Sequence, residues 1–343
     1  MKSFGKILLG VSMLIIGKTT FAQNNADARA LIKQGVQLND AGKYAEAIDK
    51  YNEALKIDTG NIYADYEIAY SLFAWDKGKE GIPYLEKVIK ANTSLNAGAY
   101  DLLGSIYDKD NQTEKAVAAY KEGIKARPDY QRLYYNLGLV YFREKQYAEA
   151  EKWAIEAIKL DPKHASSQRM YALVSFHQNK RVPALLGLCS FILLEPNTPR
   201  SAEAYNNIQH ILQGGVLKDA NGSTTIQLSP KDSQETTTLN LSISMAVLSG
   251  QNKKLTGMDL FEYELKNIFT IAGQLSEKKT DKDFFDKFFV DYFYKLAQST
   301  NMPAFTRLVS SSANKDEYTK WATDHAKEVA DLDGWVKATE RGF

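Results

Sequence analysis

Residue types that commonly do chemistry are sparse and widely separated in this sequence of 343 residues. Its four histidines, His164, His177, His210 and His325, include no pair at the i, i+4 spacing that places two zinc ligands on one helix face. The sequence also lacks a phosphate-binding Gly-Lys-Ser/Thr loop, a dinucleotide-binding glycine fingerprint and a Gly-x-Ser-x-Gly nucleophile elbow. We therefore expect no catalytic residues, no bound metal and no cofactor.

The single cysteine offers little alternative chemistry. Cys189 lies within the apolar run 185–194, which favours a buried thiol, and a nucleophilic pair with the upstream His177 is the weaker interpretation. One cysteine also cannot form a disulfide within the chain. We therefore expect the fold to be stabilised by packing without a cross-link.

The composition is that of a folded protein with a substantial core. Hydrophobic residues make up 44% and charged residues 25% of the sequence, which excludes disordered and collagen-like classes. The 43 basic residues nearly balance the 42 acidic ones, so no global field attracts nucleic acid or an anionic membrane. With 20 tyrosines and 15 phenylalanines against 8 prolines, the sequence is typical of tightly packed helices.

A 34-residue repeat organises the sequence from residue 28 to residue 198. Small and aromatic residues recur at matching offsets, as in the pairs Gly35 and Tyr51 or Gly104 and Tyr120. The copies cover residues 28–61, 62–95, 97–130, 131–164 and 165–198. The second and fifth copies are the weaker ones, and one extra residue separates the second from the third.

This pattern resembles the tetratricopeptide repeat, whose period is 34 residues. The resemblance covers residues 28–198 and implies an all-α, right-handed superhelical solenoid of about five helix-turn-helix repeats. Small residues let the two helices of a pair approach closely, and aromatic residues fill the wedge between pairs. Residues 201–213 are predicted to form a helix that caps the last pair.

The resemblance also implies where a partner binds. Ligands of the family usually lie in a concave groove lined by the first helix of each pair, at the second, fifth, ninth and twelfth residues of a repeat. These positions give the candidate partner-binding residues Tyr63, Tyr66, Tyr70, Phe73, Asp101, Asp108, Arg132, Tyr135, Phe142, Arg169 and Phe176. Tyrosine, phenylalanine and arginine are common in interaction hot spots.

The aromatic residues of the groove have an alternative interpretation. They can instead pack against a neighbouring repeat or against the carboxy-terminal segment, since aromatics at helical spacing often belong to a core.

One binding mode of the family is not expected here. Chaperone-docking members hold a partner's terminal carboxylate with Lys and Asn at the fifth and ninth positions. The first repeat has Ile32 and Val36 there, so that clamp is missing.

The segment 216–343 is predicted to be a small helical domain with a short β-hairpin near 216–228. The expected helices cover residues 236–248, 256–275, 281–299, 303–311 and 316–337. Seven of the eleven residues in 284–294 are aromatic, which is too broad an apolar face to leave in water. This block is expected to be the core of the domain, with docking on the repeats or on a partner as the alternatives.

Residues 1–22 have the pattern of a signal peptide. Lys2 and Lys6 precede an apolar run at 7–16, and Thr20-Phe21-Ala22 forms a cleavage sequence. The apolar run is too short for a permanent transmembrane anchor, and no cysteine lies near the cleavage site for lipidation. We therefore expect an exported, periplasmic or secreted protein that is not a lipoprotein and has a mildly acidic mature chain.

Together these features favour a non-enzymatic scaffold or adaptor that binds a protein or peptide, and they do not favour nucleic acid. Two alternatives come from other classes. The groove aromatics can stack on a glycan or small molecule, or an enzyme site without a recognised motif can lie between the repeats and the carboxy-terminal domain.

Overall fold

The computed structural model describes residues 26–213, 216–218, 224–226 and 229–343. The predicted signal peptide lies outside the described residues, so export stays a prediction. The chain divides into two compact units, Met1–Val140 and Tyr141–Phe343. Among the described residues, no helix is both long and apolar enough to cross a membrane.

The described part of the first unit consists of short antiparallel helices and the start of a helix that continues into the second unit. These helices are α1 (26–40), α2 (Tyr44–Ile57), α3 (Ile62–Ala74), α4 (Gly78–Ala91), α5 (Asn96–Lys109), α6 (Thr113–Ala126) and α7 (Gln131–Arg143). Their buried faces form contiguous clusters of small and branched side chains.

A left-handed residue closes the first helix of each of the five repeats. The positive-φ positions are Gly42, Asp76, Asn111, Lys145 and Asn179, at intervals of 34, 35, 34 and 34 residues. Glycine, asparagine and aspartate tolerate this conformation best, which explains four of the five. The longer interval contains the extra residue between the second and third copies, so the weaker copies follow the same turn geometry as the strong ones.

Within a repeat, a glycine of the first helix makes room for a tyrosine of the second. A Cβ at Gly104 would lie 2.5 Å from the Tyr120 ring, and one at Gly35 would overlap the Tyr51 ring. Both tyrosines are fully buried. These contacts confirm the predicted close approach of paired helices at small residues, and they place each tyrosine between the two helices of its own pair.

The second unit continues the repeats and adds the carboxy-terminal helices. Its elements are α8 (Tyr147–Leu160), α9 (Ala165–His177), α10 (Arg181–Leu194), α11 (Pro199–Gln213), β1 (Val216–Lys218), β2 (Thr224–Ile226), α12 (Gln234–Asn252), α13 (Gly257–Glu277), a π-helical stretch (Asp286–Val290), α14 (Asp291–Gln298), α15 (Met302–Ser310), α16 (Lys315–Asp324) and α17 (Ala326–Ala338). The all-α class is confirmed, and β1 and β2 pair antiparallel as the predicted hairpin.

Helix α10 is the centre of the second unit. Every residue from Val182 to Ile192 is buried, so the helix needs neighbours on all sides. It packs against its repeat partner α9 and also against α11, α12, α15 and the π-helical stretch. The compact unit therefore begins at Tyr141, within the repeats, whereas the sequence analysis places a domain change near residue 216.

The aromatic block 284–294 is both core and docking surface. Phe288, Phe289 and Phe293 are fully buried, and the Phe289 ring stacks on Tyr171 of the fifth repeat with 4.9 Å between centroids. The block therefore belongs to the core of the carboxy-terminal helices and also docks on the fifth repeat.

The single helix predicted at 316–337 is wrong. α16 ends at Asp324, and His325 leaves the helical region with φ of −122° and ψ of 38° before α17 begins. The His325 ring stacks on Trp321 at 4.5 Å, which gives the imidazole an apolar contact at this bend.

Candidate partner-binding surface of the first unit

Helix α3 carries the aromatic stripe predicted for the second repeat. The Asn61 side chain caps the helix by accepting a hydrogen bond from the Ala64 amide at 3.1 Å. Ile68, Ala69 and Leu72 form its buried face, as the repeat register predicts. The register of α3 is therefore set by a cap at its start and by burial along one side.

The four aromatic residues of the stripe divide into two pairs. Tyr66 and Phe73 are partly buried and pack against the core cluster shared by α3, α4, α5 and α6. Tyr63 and Tyr70 are each 44% exposed. Since residues seven apart lie on the same side of a helix, the exposed pair presents one aromatic face to solvent.

Tyr66 spans the gap between α3 and α5. A Cβ at Gly98 would lie 3.1 Å from its hydroxyl oxygen, so a side chain there would press on Tyr66. Burial, followed by the nearby Tyr130 and Asp101, raises the pKa of Tyr66 to about 12. Tyr66 therefore supports the surface and is not freely available to a partner.

Asp101, predicted as an exposed groove residue, is instead 3% exposed. Its carboxylate accepts a hydrogen bond from the Asn136 side-chain amide at 2.7 Å and pairs with the Arg132 guanidinium at 2.9 Å. Burial raises the pKa of Asp101, although Arg132 and Asn136 act in the opposite direction. Asp101 thus holds α7 against α5 and orients the arginine.

Arg132 presents a fixed cation. Its side chain remains 65% exposed while one edge of the guanidinium is bound by Asp101. Burial lowers the pKa of Arg132, but Asp101 and the neighbouring Tyr130, Tyr66 and Tyr70 raise it, and the net direction is upward. We call the surface formed by Tyr63, Tyr70 and Arg132 the tyrosine patch.

A cleft adjoins Tyr63 at the first repeat. It has a volume of about 430 Å³ and is lined by Arg29, Ile32, Lys33, Val36, Asn61 and Tyr63. The two positions that lack the carboxylate-clamp residues are thus apolar walls of this cleft. Arg29 and Lys33 add two cationic side chains at its edge.

Two other predicted residues of the first unit, Asp108 and Tyr135, are partly buried and engaged with neighbouring groups. Sequence reasoning missed Asn136, which occupies the sixth position of its repeat. Its separation of 35 residues from Asp101 is one repeat plus one residue, and polar pairs at about that separation are a usable signal. Ser71 and Asn39, 32 residues apart, form a second such pair, with the hydroxyl donating at 2.7 Å.

The predicted residues of the second unit are engaged with side chains of that unit. The Phe142 ring lies 5.8 Å from Tyr147 and 5.5 Å from His177. Arg169 of α9 forms an ion pair with Glu203 of α11 at 2.8 Å, and so links the fifth repeat to the helix that follows it.

Phe176 is 37% exposed and lies 5.9 Å from the His210 ring of α11.

Cys189 is fully buried, and burial raises the pKa of its thiol well above the usual range, as expected for an unreactive cysteine. Within the described parts of the chain, no group of three or more His, Cys, Asp or Glu residues is placed to hold a metal ion.

The Tetratricopeptide repeat family matches residues 18–62 and 102–165 of this sequence. The chain therefore contains tetratricopeptide repeats, and the resemblance drawn from the 34-residue period is confirmed. Proteins with these repeats are scaffolds for protein interactions, which their stacked helix pairs support with extended concave surfaces.

Similar proteins share part of this chain. Human Tetratricopeptide repeat protein 6 is 25% identical over 141 residues, which are 41% of this chain and 27% of that protein. The Hordeum vulgare protein described as probable UDP-N-acetylglucosamine–peptide N-acetylglucosaminyltransferase SPINDLY is 28% identical over 152 residues, 40% of this chain and 16% of its own length. The chain thus spans less than a third of the length of either relative.

A solved structure of pilF from Pseudomonas aeruginosa aligns with 56% of this chain and 86% of that chain. The TM-score is 0.50 and the sequence identity is 21%. At this identity the likeness shows the fold alone.

Proposed function

We propose that this protein is a non-enzymatic scaffold or adaptor that binds a protein or peptide partner at the tyrosine patch of its first unit. The observation that carries the proposal is the division of the α3 stripe. Tyr66 and Phe73 are committed to packing, whereas Tyr63 and Tyr70 remain exposed, and Tyr70 lies close enough to the positioned Arg132 to influence its pKa. Exposed tyrosine beside arginine is the composition of an interaction hot spot.

The patch is suited to binding because it is already ordered. The Asp101 carboxylate binds both Arg132 and Asn136 of α7. The buried face of α3 fixes the helix that carries both tyrosines. A partner therefore loses little free energy in ordering these groups when it docks. The adjoining cleft with Ile32 and Val36 offers room for an apolar partner side chain next to Tyr63.

The experiment is a quantitative pull-down with the full chain as bait, comparing the wild type with the double variant Tyr63→Ala and Tyr70→Ala. We expect partner recovery to fall at least tenfold, since two hot-spot tyrosines are removed. Trp75→Ala is the matched control, because Trp75 is an aromatic residue of similar exposure, 39%, in the turn that ends α3.

Equal partner recovery by the wild type and the double variant would contradict the proposal. The glycan-binding alternative is tested in parallel by thermal shift across a glycan panel. If a glycan stabilises the wild type but not the double variant, the tyrosine patch binds a carbohydrate instead of a protein.

Export is part of the proposal. It is supported by the sequence pattern of residues 1–22, with two lysines, a short apolar run and a small-residue cleavage sequence. The protein would then bind its partner in the periplasm or outside the cell. Expression of the chain with and without residues 1–22, followed by cell fractionation and mass measurement of the mature protein, tests this part.

A further inference from the structure

The segment that follows α17 folds back onto the aromatic block. α17 ends at Ala338, Thr339 is extended, and residues 339–343 are not helical. Helix α17 buries Leu332 and places its Trp335 ring 5.0 Å from the Tyr292 ring. We call residues 339–343 the tail segment.

Arg341 of the tail segment lies in an enclosure of aromatic rings. Its guanidinium carbon lies 3.9 Å from the ring centre of Tyr292, 4.8 Å from Phe288, 5.7 Å from Phe293 and 6.0 Å from Phe289. We call these four residues the aromatic cage. They are at most 3% exposed, and Phe288 and Phe289 belong to the π-helical stretch, a distortion that often marks functional sites.

The charge of Arg341 is balanced by rings rather than by a carboxylate. Its Nη1 donates a hydrogen bond to the Ser190 hydroxyl of α10 at 2.6 Å. Over the part of the chain that the structure describes, it forms no ion pair with an acidic side chain. Burial lowers the pKa of Arg341 to about 10, with Tyr292 opposing the change.

Phe343 supplies a second anchor two residues later. Its ring stacks on Phe288 at 5.5 Å and on Phe284 at 6.4 Å, although Phe343 remains 53% exposed. Arg341 and Phe343 both contact the Phe288 ring, so the two side chains reach the same aromatic surface. Gly342 passes between them, where a Cβ would contact Lys287 at 3.6 Å.

We propose that the aromatic cage is a peptide-recognition site for a segment with arginine followed two residues later by an aromatic residue, and that the tail segment is its intramolecular occupant. A partner segment of the same chemistry binds by displacing the tail segment. The site lies in the second unit and uses none of the residues of the tyrosine patch, so it goes beyond the proposed function.

The covalent link determines how this site responds. An occupant tethered by a short segment competes at an effective concentration of ~mM, so a free peptide binds the wild type poorly. Loss of the two tail anchors removes the competitor and leaves the cage residues unchanged. The variant Arg341→Ala with Phe343→Ala therefore exposes the affinity of the cage itself.

The test is a fluorescence-anisotropy titration of the full chain with a labelled peptide, Ala-Thr-Glu-Arg-Gly-Phe-amide, which copies residues 338–343. We expect saturable binding to the double variant and at least tenfold weaker binding to the wild type. A control peptide with norleucine in place of arginine keeps the apolar stem without the charge, and we expect it to bind at least tenfold more weakly to the double variant.

Absence of saturable binding to a folded double variant would overturn the proposal, as would equal binding of the norleucine peptide. Circular dichroism establishes that the variant is folded. If it is not, the wild type is incubated with millimolar peptide carrying benzoylphenylalanine at the phenylalanine position. Cross-linking within residues 284–293 then supports the site, and its absence overturns it.

Discussion

The tyrosine patch and the aromatic cage both combine arginine with aromatic rings, but they satisfy the arginine in opposite ways. Arg132 is bound by the buried Asp101, and Tyr63 and Tyr70 of the same patch remain exposed. Among the described residues, Arg341 forms no ion pair with a carboxylate, and buried rings enclose its guanidinium. A carboxylate beneath the arginine leaves the aromatic faces available to a partner, whereas rings around the arginine use those faces internally.

The largest expected effect tests whether the aromatic cage is part of the hydrophobic core of the second unit. Phe293→Ala removes a fully buried ring that lies 4.8 Å from Phe269 and 5.8 Å from Phe305. We expect the free energy of unfolding to fall by about 3–5 kcal/mol, since a large cavity replaces the ring. Urea unfolding followed by circular dichroism measures the change. A loss below about 1 kcal/mol would mean that the cage is not part of the core.

The second prediction compares Asp101 of the first unit, which is paired with Arg132, with the buried Glu264 of the second unit. Glu264 of α13 is 7% exposed, and burial raises its pKa from 4.5 to about 7. The native state therefore binds this proton more tightly than the unfolded state. The stabilisation is complete below about pH 4.5 and is lost as the pH rises through about 7, by up to about 3 kcal/mol.

The measurement is urea unfolding at pH 5 and pH 8 for the wild type and for Glu264→Gln. The glutamine keeps the size of the side chain and removes the titration, so the difference between the two pH values should shrink. An unchanged difference would assign the pH dependence to other groups.

The third prediction concerns the pair beneath the tyrosine patch. Arg132→Ala leaves the Asp101 carboxylate buried with Asn136 as its remaining partner, and we expect a loss of about 1–2 kcal/mol in the free energy of unfolding. The loss is moderate because Arg132 is largely exposed and water can take its place. The double variant Arg132→Ala with Asp101→Asn no longer buries a charge, so its free energy of unfolding should fall less. An equal loss in both variants would contradict the role of the charge.

The smallest expected effect on stability belongs to the patch itself. Tyr63→Ala and Tyr70→Ala should each change the free energy of unfolding by less than about 0.5 kcal/mol, because both side chains are exposed. Thermal unfolding of each single variant checks this. A large loss would show that the tyrosines are packed after all, and would weaken their assignment to a partner.

Much of the fold was predictable because each repeat encodes its own geometry. Gly35 with Tyr51 and Gly104 with Tyr120 are local signals, since a Cβ at either glycine would overlap the tyrosine ring of the facing helix. The hairpin and most carboxy-terminal helices also follow from nearby residues. The break at His325 was missed, because neither proline nor glycine marks it.

The state of the candidate site was less predictable. The register assigns Tyr63, Tyr66, Tyr70 and Phe73 to one groove, but it does not say which of them a neighbouring helix covers. Tyr66 is covered because α5 has a glycine at residue 98, and Asp101 is covered because Asn136 and Arg132 approach from α7. These relations join different repeats.

The sequence by itself determined the all-α class, the repeat period, the helix-pair packing and the scarcity of catalytic motifs, because each depends on residues close together in the chain. Only the tertiary structure decided which aromatic residues remain exposed, and that the tail segment places Arg341 against Ser190 across 151 residues of sequence. Burial and charge pairing depend on which helices meet, and that information lies in packing rather than in periodicity.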